Sequence, residues 1–170
     1  MDLDNKVSLV TGAGQGIGEG IAKNLASKGS KVIVVDLNQQ SSENVAEEIN
    51  KKFPNTAYSF QADLTKIDEI ESMLEFGVLK FNKIDCICNN AASSKGIGPV
   101  ENYSLEDVQA TLDLTFTSLW KCLQAEIRFL KQQAISASVV NISSNSAIKG
   151  YAFNSICLLY TSDAADETEG

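Results

Sequence analysis

Apolar runs recur near residues 6–11, 31–36, 57–62, 84–89 and 138–143, and between them the polar and apolar positions follow a helical period. Runs such as Val7-Ser8-Leu9-Val10 and Lys31-Val32-Ile33-Val34-Val35 are apolar along most of their length. That pattern suits parallel strands buried on both faces. Candidate helices lie near 16–28, 41–52, 66–80 and 104–132, the longest opening with the capping-box pattern Ser104-Leu105-Glu106-Asp107. Pro54 and Pro99 both fall in connections, where a missing backbone N–H costs nothing. Strand and helix in strict alternation, joined by right-handed crossovers, predict an α/β chain with a doubly wound parallel sheet and helices on both faces. The long helix carries two apolar stripes: Leu105, Val108, Leu112 and Leu119 on one side, and Phe116, Trp120 and Ile127 on an adjoining flank. One stripe is expected to face the sheet, and the other is either further core or a surface for a second subunit.

The composition narrows the setting. The chain has 170 residues, 44% of them hydrophobic, enough for one sizeable core and a single domain. A net charge of −8 disfavours nucleic acid and anionic membrane surfaces as partners. No run is long and apolar enough to span a bilayer, and Met1-Asp2-Leu3-Asp4 lacks the basic and apolar regions of a signal peptide, so a cytoplasmic location is expected. Cys86, Cys88, Cys122 and Cys157 are too few and too irregular for a disulfide framework. With no histidine in the chain, the same-side pair Cys86 and Cys88 reads as two buried thiols, and no metal is expected.

The candidate chemistry sits in the first crossover. Thr11-Gly12-Ala13-Gly14-Gln15-Gly16-Ile17-Gly18 lies between the first apolar run and the first helical pattern. Glycines there permit a tight turn and close approach of the backbone to a pyrophosphate, and the helix N-terminus favours its charge. About twenty residues further on, the second strand ends in Asp36. Its carboxylate can accept hydrogen bonds from adenosine ribose hydroxyls and would repel a 2′-phosphate, and neither Leu37 nor Asn38 supplies a cation to welcome one. NAD is therefore expected in preference to NADP.

Together with Asp63-Leu64, Asn89-Asn90-Ala91-Ala92 and Val139-Val140-Asn141-Ile142-Ser143-Ser144, in that order, the glycine turn makes the chain resemble the short-chain dehydrogenase/reductase family from about residue 5 to Ile156. The resemblance implies a Rossmann-type fold whose C-terminal strands and helices are missing here. It implies that Gly12, Gln15, Gly16, Ile17 and Gly18 hold the cofactor, with Asp36 on the adenosine ribose and Asp63 on the adenine amine beside Leu64. Asn90 would brace the sheet and Ala91 would line the cleft. Ser144 would be catalytic, hydrogen-bonding the reacting oxygen of an alcohol or carbonyl substrate. The full-length parent would be a homo-oligomer.

Two departures follow from laying the family pattern on this chain. The family's Tyr-x-x-x-Lys motif is absent: its tyrosine position falls on Cys157 and its lysine position on Thr161, while Tyr160 has Ala164 four residues on. Thr115 stands where the family has a catalytic Asn, and Thr115 is not counted as catalytic. From Cys157 to Gly170 the chain resembles translated sequencing-adapter DNA, so residues 1–156 read as an incomplete NAD-binding domain and 157–170 as a non-native tail. A natural acidic tail is the alternative.

The expected function is NAD-dependent hydride transfer between an alcohol or carbonyl compound and nicotinamide, with this chain itself inactive for lack of the Tyr/Lys pair. A non-catalytic NAD-binding module is the alternative. A serine hydrolase built on Ser143 or Ser144 fails, since the chain has no histidine base and no Gly-x-Ser-x-Gly elbow.

Overall fold

The computed structural model describes residues 3–93, 98–134 and 136–145. The expected alternation is observed: β1 (Val7–Thr11), α1 (Gly16–Ser27), β2 (Lys31–Asp36), α2 (Gln39–Lys52), β3 (Ala57–Gln61), α3 (Ile67–Phe81) and β4 (Cys86–Asn89) follow in order. A short 3-10 turn (Val100–Asn102) then leads to α4 (Leu105–Leu112), a π-helical segment (Asp113–Thr117), α5 (Ser118–Gln133) and β5 (Ser138–Asn141).

The five strands are parallel, in the order β3-β2-β1-β4-β5. The chain winds outward from β1 through β2 to β3, then crosses back to place β4 on the other side of β1. A crevice opens at the carboxyl ends of β1 and β4, where the winding reverses. Side chains alternate between two cores. Leu9, Ile33 and Ile87 point to a layer shared with Ile70, Met73 and Leu74 of α3 and Cys122 and Ala125 of α5. Val10, Val34 and Cys88 point to the opposite layer with Ala22 and Ala26 of α1 and Val45, Ala46 and Ile49 of α2. Both faces of the central strands β1 and β2 are therefore covered, which is why they can dispense with polar alternation, whereas β5 at the sheet edge is largely exposed.

The long helix differs from its expected form. It is interrupted by the π segment, where the Ser118 hydroxyl donates to the Asp113 carbonyl at 2.7 Å. A π turn takes in an extra residue and rotates everything beyond it by roughly 100° relative to an unbroken α-helix. The buried positions are Thr111, Ser118, Cys122, Ala125, Glu126 and Leu130. The stripe of Leu105, Val108, Leu112 and Leu119 is thus not the packing face: Leu105 is 78% exposed and the other three are half-buried. Small side chains instead let α5 lie close against its neighbours. Phe116, Trp120 and Ile127 face solvent, at 59%, 66% and 50% exposure. The helix start is as expected: the Ser104 hydroxyl accepts from the Asp107 N–H at 3.1 Å and donates to the Asp107 carboxylate at 2.8 Å. Among the described residues, no helix is long and apolar enough to cross a membrane.

Candidate functional site

The turn between β1 and α1 is held from two sides. Ala13 N–H donates to the Val35 carbonyl at 2.9 Å, and Gly14 N–H donates to Asp36 Oδ2 at 2.8 Å, tying the turn to β2. The Asn90 side-chain amide donates to the carbonyls of Thr11 at 3.1 Å and Gly12 at 3.2 Å, tying it to the end of β4. The Thr11 hydroxyl oxygen accepts the backbone N–H groups of Asn90 at 3.0 Å and Ala91 at 3.2 Å. Sequence reasoning assigns Thr11 no task, yet its single oxygen fixes the direction in which the chain leaves β4.

The glycines serve different needs. Gly12 (φ +61°) lies against the backbone of Ala91, and a Cβ there would come within 2.8 Å of its Cα. At Gly18 a Cβ would run into the Gly12 carbonyl and the Asn90 amide. Gly16 (φ +59°) is the opposite case: nothing lies within 4 Å of where its Cβ would be. Two glycines therefore allow packing, and the third leaves open space at the first turn of α1. Gln15, at the N-cap of that helix, makes no side-chain cap bond, so the N-terminal N–H groups of α1 face a space a phosphate can occupy.

This space is part of a cleft of about 590 Å³. Gly12, Gln15, Gly16 and Ile17 form one wall, Asp36, Asp63 and Leu64 another, and Asn90 and Ala91 the third. Of the expected cofactor residues, Gly18 alone stays out of the lining, packed behind the turn. Val35, Leu37, Ala62, Ala92 and Leu114 complete the lining; their apolar side chains give no signal in the sequence separable from ordinary core. None of the described residues lining the cleft is basic.

The acids here are already engaged. Asp36 Oδ1 accepts the Asn38 N–H at 2.9 Å while Oδ2 holds Gly14. Asp63 accepts the hydroxyl of Thr65 at 2.7 Å and its N–H at 3.0 Å. The Thr65 hydroxyl bond leads the causes that lower its pKa; burial opposes them, while the Thr65 N–H and nearby Lys66 add to the lowering. Both carboxylates keep lone pairs for further donors.

Ser144 is not in this lining. It is exposed and lies past the end of β5, whose pairing continues through a 2.8 Å bond from Ile142 N–H to the Asn89 carbonyl. Thr115 sits in the π segment, its hydroxyl accepting the Ser93 N–H at 3.3 Å. Cys157, Tyr160, Thr161 and Ala164, on which the Tyr-x-x-x-Lys comparison turns, lie outside the described residues.

A profile of the short chain dehydrogenase family matches residues 6–160. The chain belongs to that family. Among relatives of this short chain dehydrogenase, an uncharacterized oxidoreductase of Staphylococcus epidermidis is 30% identical over 154 residues, covering 91% of this chain and 64% of that protein. Similar solved structures include the following two. NAD+-bound xylitol dehydrogenase superposes with a TM-score of 0.84 at 29% identity, over 92% of this chain and 60% of that one. A 3-ketoacyl-(acyl-carrier-protein) reductase from Brucella melitensis, complexed with NADH, gives 0.83 at 26% identity, over 94% and 65%. The chain thus spans about two thirds or less of the length of each of these relatives.

Proposed function

We propose that the parent protein is an NAD-dependent oxidoreductase acting on an alcohol or carbonyl substrate, and that this chain retains its cofactor cleft. The observation that carries the reading is the Asp36 carboxylate, bonded to Gly14 of the glycine turn at 2.8 Å and lining the same cleft. An anion at that point accepts ribose hydroxyls and repels a 2′-phosphate, and no basic side chain among the described lining residues offsets it. The open space at Gly16 and the uncapped start of α1 fit a pyrophosphate. The NAD+ and NADH named with the two similar structures support the same choice.

In this reading Gly12, Gln15, Gly16, Ile17 and Gly18 hold the pyrophosphate, Asp36 the adenosine ribose, Asp63 and Leu64 the adenine, and Asn90 and Ala91 the cleft wall. NAD, when bound, supplies the hydride acceptor. Ser144 donates a hydrogen bond to the reacting oxygen and steadies its developing charge. Cys157 and Thr161 cannot provide the proton transfer of the family's Tyr and Lys, a contribution of roughly 10²–10⁴ in rate. The chain is then a nearly inactive fragment, residues 1–156 being the dinucleotide-binding domain and 157–170 a non-native tail.

Calorimetric titration of the purified chain is expected to give NAD+ binding and at least tenfold weaker NADP+ binding, about 1.4 kcal/mol. Equal affinity for both would overturn the cofactor assignment. Dehydrogenase turnover at ordinary rates would overturn the inactivity. A non-catalytic NAD-binding module is the second reading, favoured by the same cleft if the tail proves to be encoded in the gene.

A further inference from the structure

Glu126 is fully buried at the centre of α5, in the layer where Met73 and Leu74 of α3 pack against Cys122 and Ala125. Its Oε2 accepts from Asn89 Nδ2 at 3.1 Å, and the same nitrogen donates to Asn141 Oδ1 at 3.1 Å. Both Asn89 protons are thereby used. Two buried oxygens are left over, Glu126 Oε1 and Asn89 Oδ1, and neither has a hydrogen-bond partner. They are the second oxygens of two groups already joined by one hydrogen bond. If the carboxyl were ionised, both would be acceptors with nothing to accept, and a charge would be buried without a cation.

We infer that Glu126 is held as a neutral carboxylic acid, its O–H donating to Asn89 Oδ1 so that acid and amide close a ring of two hydrogen bonds. One proton satisfies both orphaned oxygens at once. The surroundings agree. On α3 the half-exposed Glu71 carboxylate pairs with Arg128 at 3.8 Å; β4 and β5 present the neutral amides of Asn89 and Asn141. The titratable neighbour on α5 is Cys122, whose thiol is pushed up to about 12, by burial first and then by Glu126 once that carboxyl has ionised at higher pH. Burial likewise raises the Glu126 carboxyl to about 7, against a smaller lowering by Asn89.

The ring makes Glu126 a positioning residue. Asn89 directly precedes Asn90, which braces the glycine turn, and Asn141 lies on the strand that leads to Ser144. One side chain from α5 is thus tied to the end of β4, beside the Asn90 and Ala91 wall of the cleft, and through Asn89 to β5. Ionisation would break the ring beneath the cleft wall. The folded group keeps its proton up to about 7, whereas an unfolded glutamate releases it near 4.5. The folded state holds the extra proton in that window, so stability falls as pH rises through it.

Carboxyl NMR of the chain labelled with ¹³C-glutamate tests the assignment. One resonance, missing from Glu126→Gln, should titrate near 7. Glu126→Gln, whose amide N–H can replace the acid proton in the ring, should flatten the fall in melting temperature between pH 4.5 and about 7. Glu126→Leu should melt lower at every pH. An infrared band of a neutral carboxylic acid near neutral pH in the unsubstituted chain would report the same protonation state without any variant. A Glu126 that titrates as an ordinary glutamate, or a Glu126→Gln chain with an unchanged pH profile, overturns the inference. The consequence for the cleft rests on the cofactor reading: NAD affinity should drop several-fold from about pH 6 to about pH 8 and stay level in Glu126→Gln. If NAD binds at no pH, that reading falls and the carboxyl titration still decides the ring.

Discussion

The carboxylate of Asp36 is bonded to the backbone of Gly14 at 2.8 Å, so the residue expected to select the ribose also shapes the turn expected to hold the phosphates. Asp36→Ala removes both functions. A hydrogen bond to a charged group contributes about 1.5–3 kcal/mol, so NAD affinity should fall by about tenfold or more. The preference over NADP should shrink with it. Parallel titrations with the two cofactors check this, and an unchanged affinity ratio would remove Asp36 from the specificity argument.

Gly16 and Gly18 are expected to fail in different ways when changed to alanine. At Gly18 the new methyl meets the Gly12 carbonyl and the Asn90 amide, so the turn must shift, at a cost of about 1–3 kcal/mol or more in stability. At Gly16 the methyl meets nothing and its left-handed backbone costs about 1–2 kcal/mol, but it projects into the cleft. Gly18→Ala should therefore lose more in urea denaturation, and Gly16→Ala more in nucleotide affinity relative to its stability loss. The reverse order would contradict the assignment of Gly16 to the phosphate wall.

Phe116 and Trp120, at 59% and 66% exposure, form an apolar flank that the described residues leave open. The expected homo-oligomer would use it. Trp120→Glu should change the stability of the monomer by no more than about 0.5 kcal/mol, as exposed substitutions do, while weakening self-association. Sedimentation velocity at several concentrations measures this; association unaltered by the substitution would place the interface elsewhere.

Amplifying the gene from source DNA across the Ile156 codon should reveal a codon for Tyr next and one for Lys four codons later, in place of Cys157 and Thr161. The completed protein should turn over substrate at least about a hundredfold faster than the 170-residue chain. A genomic reading that reproduces the tail would sink the adapter interpretation and favour the binding-module reading.

Much of the fold is legible in the chain because parallel strands buried on both faces must be apolar almost throughout. Val32 to Val35 announces β2 without any knowledge of its neighbours, and β1 stands out in the same way. The glycine turn and Asp36 are legible for a related reason: positive φ and close approach restrict the residue type at a position, whatever surrounds it. The packing face of the long helix is not legible, because the π segment at Asp113–Thr117 changes the register and the periodicity of Leu105 to Leu119 does not carry through it. Leu114 and Ala62 in the cleft lining cannot be told from core, since an apolar side chain carries no mark of which cavity it faces.

By itself the sequence determined the order of elements, the doubly wound topology and the residues of the phosphate turn, all of which depend on local backbone geometry and on how much apolar surface each segment must bury. Tertiary structure alone decided what Glu126 and Thr11 do. An acidic residue in a helix reads as a solvated one until α3, β4 and β5 close over it, and a strand-end hydroxyl is ordinary until two N–H groups just past a neighbouring strand converge on it. Burial and partnership arise from segments distant in the chain, and those two quantities set the protonation of the one residue and the bracing task of the other.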